Sequence, residues 1–305
     1  MNSNKLKISG IVLLVAFLAG SFGMSSHLHA QVTSGYLEVR GSDTMVNLGQ
    51  TWAEEFMLRN PRAVIAVTGG GSGTGIAGMI NNNLDIAQSS RAMRQSELDQ
   101  AAANGVITYE FVVAQDGLAV SVHQDNPINQ LTVAQLKEIF TGAVTHWSQV
   151  GWADGGRISV YSRQSNSGTY VFFNENIMDG DDWADGTMFL PGSSAINQAI
   201  ALDKNSIGYY GVGYVSGVKA LSVARDQDTP AYSPLVKEYV DKGLYPIARP
   251  LYFYINGTPD GLGLKYLQWV LGDEGQEIIG NIGFYSLTPA YVEQNEANFR
   301  AFGVE

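Results

Sequence analysis

The sequence predicts an α/β protein of two lobes with a ligand cleft between them, each lobe a mixed, mostly parallel sheet flanked by helices. Three observations carry that expectation. Short apolar strands alternate with helical patterns, which is how parallel sheets covered on both faces are built. A length of 305 residues suggests two cores at the usual size of roughly 150 residues per domain. Two strand-like segments, 109–123 and 249–256, are suited to crossing from one lobe to the other.

Taken in order, residues 36–40 alternate as a strand and stop at Gly41-Ser42-Asp43-Thr44. Leu48, Trp52, Phe56 and Met57 then share one face of a helix that ends before Asn60-Pro61. Residues 63–68 read as a short buried strand running into the glycine-rich 69–75, followed by a helix carrying Ile76, Met79 and Ile80. The strand at 84–87 ends at Gln88-Ser89-Ser90-Arg91. The long segment 109–123, interrupted at Asp116-Gly117, leaves the first lobe. In the second lobe, helices are expected at 133–140 and 170–177, a strand at 157–161, and a tight strand–turn unit at 207–214. Arg249 to Asn256 is the return strand, and an amphipathic closing helix is expected at 262–279. Ligands of such sheets bind beyond the carboxyl ends of the strands, where the Ser-, Thr- and Gly-rich loops sit.

Composition narrows the functions open to this fold. Net charge is −11, which argues against a nucleic-acid partner. There is no cysteine, which removes thiol chemistry, thiolate metal sites and disulfides. At the N-terminus Lys5 and Lys7 precede an apolar run from Ile11 to Ala19, and small and polar residues follow up to Leu28-His29-Ala30. That is the pattern of a cleaved signal peptide over residues 1–30, too short in its apolar run to span a bilayer. Its removal takes away two lysines and no acid, deepening −11 to −13. The expected product is an exported, acidic protein acting outside the cytoplasm. Its two remaining histidines, His123 and His146, have no second ligand at metal-like spacing, so no metal and no cofactor is expected.

Two loops suggest oxyanion chemistry. In Gly69-Gly-Gly-Ser72-Gly-Thr-Gly75 the glycines would let backbone N–H groups approach an anion at a helix start, although a purely structural turn fits the same residues. It is not a Walker A loop, and no acidic residue completes a dinucleotide fingerprint. Arg163, followed by Ser167-Gly168-Thr169 between a strand and a helix, offers a guanidinium fork and hydroxyl donors. Ser167 also suits an ordinary N-cap. Four donor-rich loops at strand ends, accompanied by two arginines, point to one cleft.

The chain resembles the substrate-binding proteins of bacterial ABC phosphate importers, the PstS-like family. The resemblance rests on GSDT at 41–44, GGGSGTGI at 69–76, DIAQSSR at 85–91, AQDGLAV at 114–120 and LKEIFTGAVTHW at 136–147. It continues through SRQSNSGT at 162–169, IGYYGVGY at 207–214, RPLYFYING at 249–257 and DEGQEII at 273–279, covering nearly the whole mature chain. It implies a two-lobed periplasmic-binding-protein fold of type II, with residues 31–117 and 250–305 in one lobe and 118–249 in the other. It also implies a periplasmic protein that binds inorganic phosphate, dehydrated in the cleft, and delivers it to an ABC permease; a monomer is expected, since docking a permease needs both lobe tips free. Phosphate contacts are carried onto Asp43, Thr44, Ser72, Ser90, Arg163, Ser167, Gly168 and Thr169.

Two departures bear on selectivity. Some members have Asp where this chain has Ser90, followed here by Arg91, and Thr where it has Asp43. A carboxylate in such a site accepts the proton of hydrogen phosphate, and sulfate would leave that acceptor unsatisfied. Asp43 is therefore expected to have taken over as proton acceptor, with Arg91 balancing its charge in the same site. A sensor or scavenger of phosphate, or of another tetrahedral oxyanion, on the same fold and without a transport role is the alternative. A secreted phosphatase would need a nucleophile beside a base, or metal ligands, and none is legible; the chain is expected not to be an enzyme.

Overall fold

The structure, a computed structural model, describes residues 34–303; the expected signal peptide lies outside the described residues. The chain runs β1 (Ser34–Gly41), α1 (Val46–Arg59), β2 (Arg62–Thr68), α2 (Ser72–Ile80), β3 (Ile86–Ser89), α3 (Gln95–Ala103) and β4 (Thr108–Gly117). It continues with β5 (Ala119–Val122), β6 (Gln130–Thr132), α4 (Val133–Thr141), β7 (Ser159–Arg163), α5 (Gly168–Asn176), β8 (Met188–Leu190) and α6 (Gly192–Leu202). Then come β9 (Ser206–Tyr210), β10 (Lys219–Ala220), β11 (Ser222–Ala224), α7 (Lys237–Asp241), β12 (Ala248–Asn256), α8 (Gly261–Leu271), α9 (Asp273–Asn281) and α10 (Pro289–Ala301).

Two five-stranded sheets define two lobes: β2-β1-β3-β12-β4, and β10-β5-β9-β7-β8. Both are mixed, and chain order explains how. Strands from strand–loop–helix repeats pair in parallel: β1 with β2 and β3, and β7 with β8 and β9. The strands at the crossings run the other way, β12 against β3 and β4, and β5 against β9. β4 passes into β5 through the single residue Leu118, so the long segment expected at 109–123 crosses between the sheets.

Alternation along β12 shows how one strand serves two cores. Leu251, Phe253 and Ile255 face a large cluster that extends through Leu118, Tyr245 and Ile247 to Phe140, Phe173 and Tyr209 of the second lobe. Tyr252 and Tyr254 face the opposite side, packed with Ile76, Met79 and Met93. Capping fixes the helix starts: Thr132 Oγ1 accepts from the Gln135 N–H at 3.1 Å while the Gln135 side chain returns to the Thr132 N–H at 2.9 Å.

One expected element is corrected. The helix over 262–279 is two helices, α8 and α9, divided at Gly272, whose backbone is extended (φ −81°, ψ 175°). Asp273 and Glu274 follow in the first turn of α9, where carboxylates suit a helix N-terminus. Nor does it close the chain: α10, begun by Pro289 at its first position, lies against β4.

Candidate functional site

Four strand ends meet in the cleft. β1 delivers Asp43 and Thr44, β2 delivers Ser72 at the start of α2, β3 delivers Ser90, and β7 delivers Arg163 with Ser167, Gly168 and Thr169. The hydroxyls converge across the lobes. Thr44 Oγ1 lies 2.7 Å from Thr169 Oγ1, Ser90 Oγ lies 3.4 Å from Thr169 Oγ1, and Ser72 Oγ lies 3.3 Å from Ser90 Oγ. All four residues are fully buried.

Glycine permits this approach at two points. A Cβ on Gly168 would fall against Ser72 Oγ and come 2.8 Å from Ser90 Oγ. Gly71 has φ +89°, and a Cβ there would come 2.6 Å from the Asn166 carbonyl of the other lobe. That carbonyl accepts from the Gly73 N–H at 2.9 Å, and the Asn166 amide donates to the Gly70 carbonyl at 2.8 Å. The glycine-rich loop therefore forms an interlobe contact as well as a helix start.

Arg163 is 1% exposed. Its Nη1 donates to Ser193 Oγ at 3.2 Å and its Nη2 to Asp43 Oδ2 at 3.1 Å, while Nε has no partner among the described residues. Burial pulls the guanidinium below the ordinary arginine value, and Asp43 opposes that pull; an arginine stays charged regardless. Asp43 Oδ1 accepts from the Gly70 N–H at 2.9 Å, so each carboxylate oxygen holds one bond and keeps a lone pair. The Asp43 carbonyl accepts from Tyr214 Oη at 2.9 Å, and burial pushes the Tyr214 phenol up to about 12, which keeps it a donor.

Ser167 caps α5: its Oγ accepts from the Thr169 and Tyr170 N–H groups at 3.1 and 3.4 Å. Only its proton is left to offer. Arg91 is a correction. Expected to balance Asp43, it instead holds Glu97 with both terminal nitrogens, at 2.7 and 2.6 Å, and donates to the Ala92 carbonyl at 2.9 Å. Glu97 sits in the first turn of α3 and also accepts from the Arg94 N–H at 2.8 Å. Burial works to raise its carboxyl, but the bonds from Arg91 and Arg94 outweigh it and hold Glu97 below the usual carboxylate range. Arg163 takes the place beside Asp43 that Arg91 was expected to fill.

Sequence reasoning missed Arg249 and Asp116 as parts of this site. Arg249 Nη2 donates to Thr169 Oγ1 at 3.0 Å and Nη1 to the Ser90 carbonyl at 2.8 Å, while Asp116 binds the same guanidinium at 2.7 Å. The signal was an arginine heading an otherwise apolar strand, Arg249-Pro-Leu-Tyr-Phe-Tyr-Ile. Outside the cleft, His123 Nδ1 accepts from the Asp125 N–H and His146 Nδ1 pairs with Thr145 Oγ1. Among the described residues no group of three metal-ligating side chains occurs.

Two α/β lobes, shut on a cluster of hydroxyls, amides and one partly committed guanidinium, define a solute-binding protein of the two-lobed class. The family profile of the PBP superfamily domain matches residues 29–274. The phosphate-binding protein PstS of Pseudomonas aeruginosa is 30% identical over 318 aligned positions, covering 95% of this chain and 98% of that protein. PstS of Bacillus subtilis is 28% identical, covering 97% and 98%. A phosphate ABC transporter substrate-binding protein from Clostridium perfringens, solved with bound phosphate, superposes with a TM-score of 0.74 at 27% identity, covering 83% of this chain and all of that one. The chain belongs to the PBP superfamily, among its PstS-like phosphate-binding proteins.

Proposed function

We propose that this protein captures inorganic phosphate between its lobes outside the cytoplasm and delivers it to an ABC-type permease, acting as a monomer and without catalysis. One observation carries the reading: hydroxyls of Thr44, Ser72, Ser90 and Thr169, drawn from both lobes, converge within 3.4 Å steps, with Arg163 buried on Asp43, the residue before Thr44. Removing a dianion from water costs several kcal/mol at least. Fixed hydroxyl and amide dipoles with a guanidinium can replace that hydration, whereas a chain of net charge −11 gives no long-range attraction.

In this reading Thr44, Ser72, Ser90, Arg163 and Thr169 donate to the phosphate oxygens, Gly168 admits them, and Ser167 contributes its proton from the cap of α5. Asp43 accepts the phosphate proton through a remaining lone pair, and Arg91 acts only by bracing the Ser90 loop through Glu97. The lobes divide as 31–117 with 250–305, and 118–249, and a signal peptide over 1–30 directs export.

Calorimetric titration of the purified protein with phosphate, arsenate and sulfate across pH 5–9 tests this. Phosphate is expected to bind in preference to sulfate, and Asp43→Asn to erase that preference. Failure to bind phosphate at any of these pH values would overturn the function, and an unchanged preference in Asp43→Asn would overturn the role given to Asp43.

A further inference from the structure

Asp116 and Arg249 face each other across the β4–β12 ladder, on the two strands at the crossings between lobes. Both are buried. Asp116 Oδ2 accepts from Arg249 Nε at 3.0 Å and Nη2 at 2.7 Å, and Oδ1 accepts from the Val212 N–H of the second lobe at 2.9 Å. The other bonds of Arg249 go to the Ser90 carbonyl of the first lobe and to Thr169 Oγ1 of the second. Phe172, one turn into α5, sets its ring 5.2 Å from the guanidinium carbon. A single side chain thus touches both crossing strands and one hydroxyl-bearing loop from each lobe.

The chemistry of that contact has a direction. A guanidinium only donates, so Thr169 Oγ1 must accept from it. One lone pair of the hydroxyl is thereby held, and its single proton is left for the groups on its other side, Thr44, Ser90 or a captured anion. A charged donor on the oxygen also polarises the O–H bond and strengthens what it gives.

We propose that Arg249, held in place by Asp116, is a positioning residue for anion capture: it fixes Thr169 as a donor into the cleft and ties that donor to the strands on which the lobes close. The inference rests on the phosphate reading for its binding arm, and a second arm is independent of it. Arg249→Lys keeps a positive charge beside Asp116, but one ammonium cannot reproduce a fork that spans Asp116, Ser90 and Thr169. Thr169→Val removes the hydroxyl.

Phosphate dissociation constants are to be measured for the wild type, both single variants and the double variant, with the phosphate-free unfolding midpoint recorded for each. Each single change is expected to weaken binding about tenfold or more. The double variant is expected to fall within about threefold of Thr169→Val alone, because the two residues act through one bond. Losses that multiply independently would overturn the coupling. The second arm uses the absence of cysteine: cysteines introduced at Leu58 and Leu202, exposed on opposite lobes, accept spin labels. Without phosphate, Arg249→Lys is expected to shift the interlobe distances to longer values than the wild type. Superimposable distributions would overturn the link to closure. A wild type that fails to bind phosphate would sink the functional reading, while the distance arm still judges Arg249.

Discussion

Arg163 and Arg249 are both almost wholly buried and both reach the hydroxyl cluster or the carboxylate beside it, yet their partners differ in kind. Asp116 is 0% exposed and accepts three bonds on its two oxygens, whereas the Asp43 side chain is 26% exposed and accepts two, one on each oxygen. Arg249 has Nε, Nη1 and Nη2 all committed within the protein, while Arg163 keeps Nε unpaired among the described residues. A buried guanidinium whose three nitrogens are all engaged, four of five N–H donors in use, serves architecture and orientation; one with only two donors in use keeps capacity for an incoming anion.

The sharpest break of that contrast is Asp116→Ala. It strands a charge in the interior, and removing one partner of a buried pair costs about 3–5 kcal/mol. Denaturant unfolding without phosphate is expected to show a loss of that order, and a loss below about 1 kcal/mol would contradict a structural role for the pair. Arg163→Ala should act on binding instead, weakening phosphate by about 2–5 kcal/mol in calorimetry. A loss under about half a kcal/mol would put Arg163 outside the site. Next, Gly168→Ala drives a methyl group into Ser72 and Ser90, an overpacking of about 1–3 kcal/mol, and should cost more binding free energy for phosphate in calorimetry than phosphate-free unfolding free energy in denaturant.

Acid sharpens the distinction between a ligand-facing and a bracing arginine. Glu97 is held below its unfolded value, so the Arg91–Glu97 pair contributes stability that is fully present above the unfolded carboxyl value of about 4.3 and is lost as pH falls through the lower folded value. Stability of the wild type should therefore fall more steeply below about pH 4 than that of Glu97→Gln. The smallest effect is expected at the rim, where Arg94 meets Glu175 of the other lobe at 2.5 Å with both side chains about half exposed. Arg94→Ala should change phosphate affinity by about 0.2–1 kcal/mol, and less in high salt.

The strand–loop–helix repeats were legible because each turn motif follows its strand directly: Gly41-Ser42-Asp43-Thr44 after β1 and Gly69 to Gly75 after β2. Hydroxyl donors could be read for the same reason, since a Ser or Thr just past a strand end projects into the crevice where such sheets bind their ligands. Partnerships could not. Arg91 stands next to Ser90 in the sequence, but its charge is taken by Glu97, six residues on, through a helix start that the strand pattern did not reveal. Arg249 was hidden by distance, 133 residues from Asp116 and 80 from Thr169, in a strand whose run from Leu251 to Ile255 spoke for burial. The division of 262–279 at Gly272 was missed because the apolar spacing of α8 and the polar run of α9 join without a proline.

The most direct measurement is a crystal structure of the protein grown in millimolar phosphate. Density for a tetrahedral anion is expected between the two lobes, with its oxygens about 2.6–3.0 Å from the hydroxyls of Ser72, Ser90 and Thr169 and from the Arg163 guanidinium. Phosphate bound elsewhere, or lobes that close with these hydroxyls still bonded only to one another, would contradict capture by donors from both sides of the cleft.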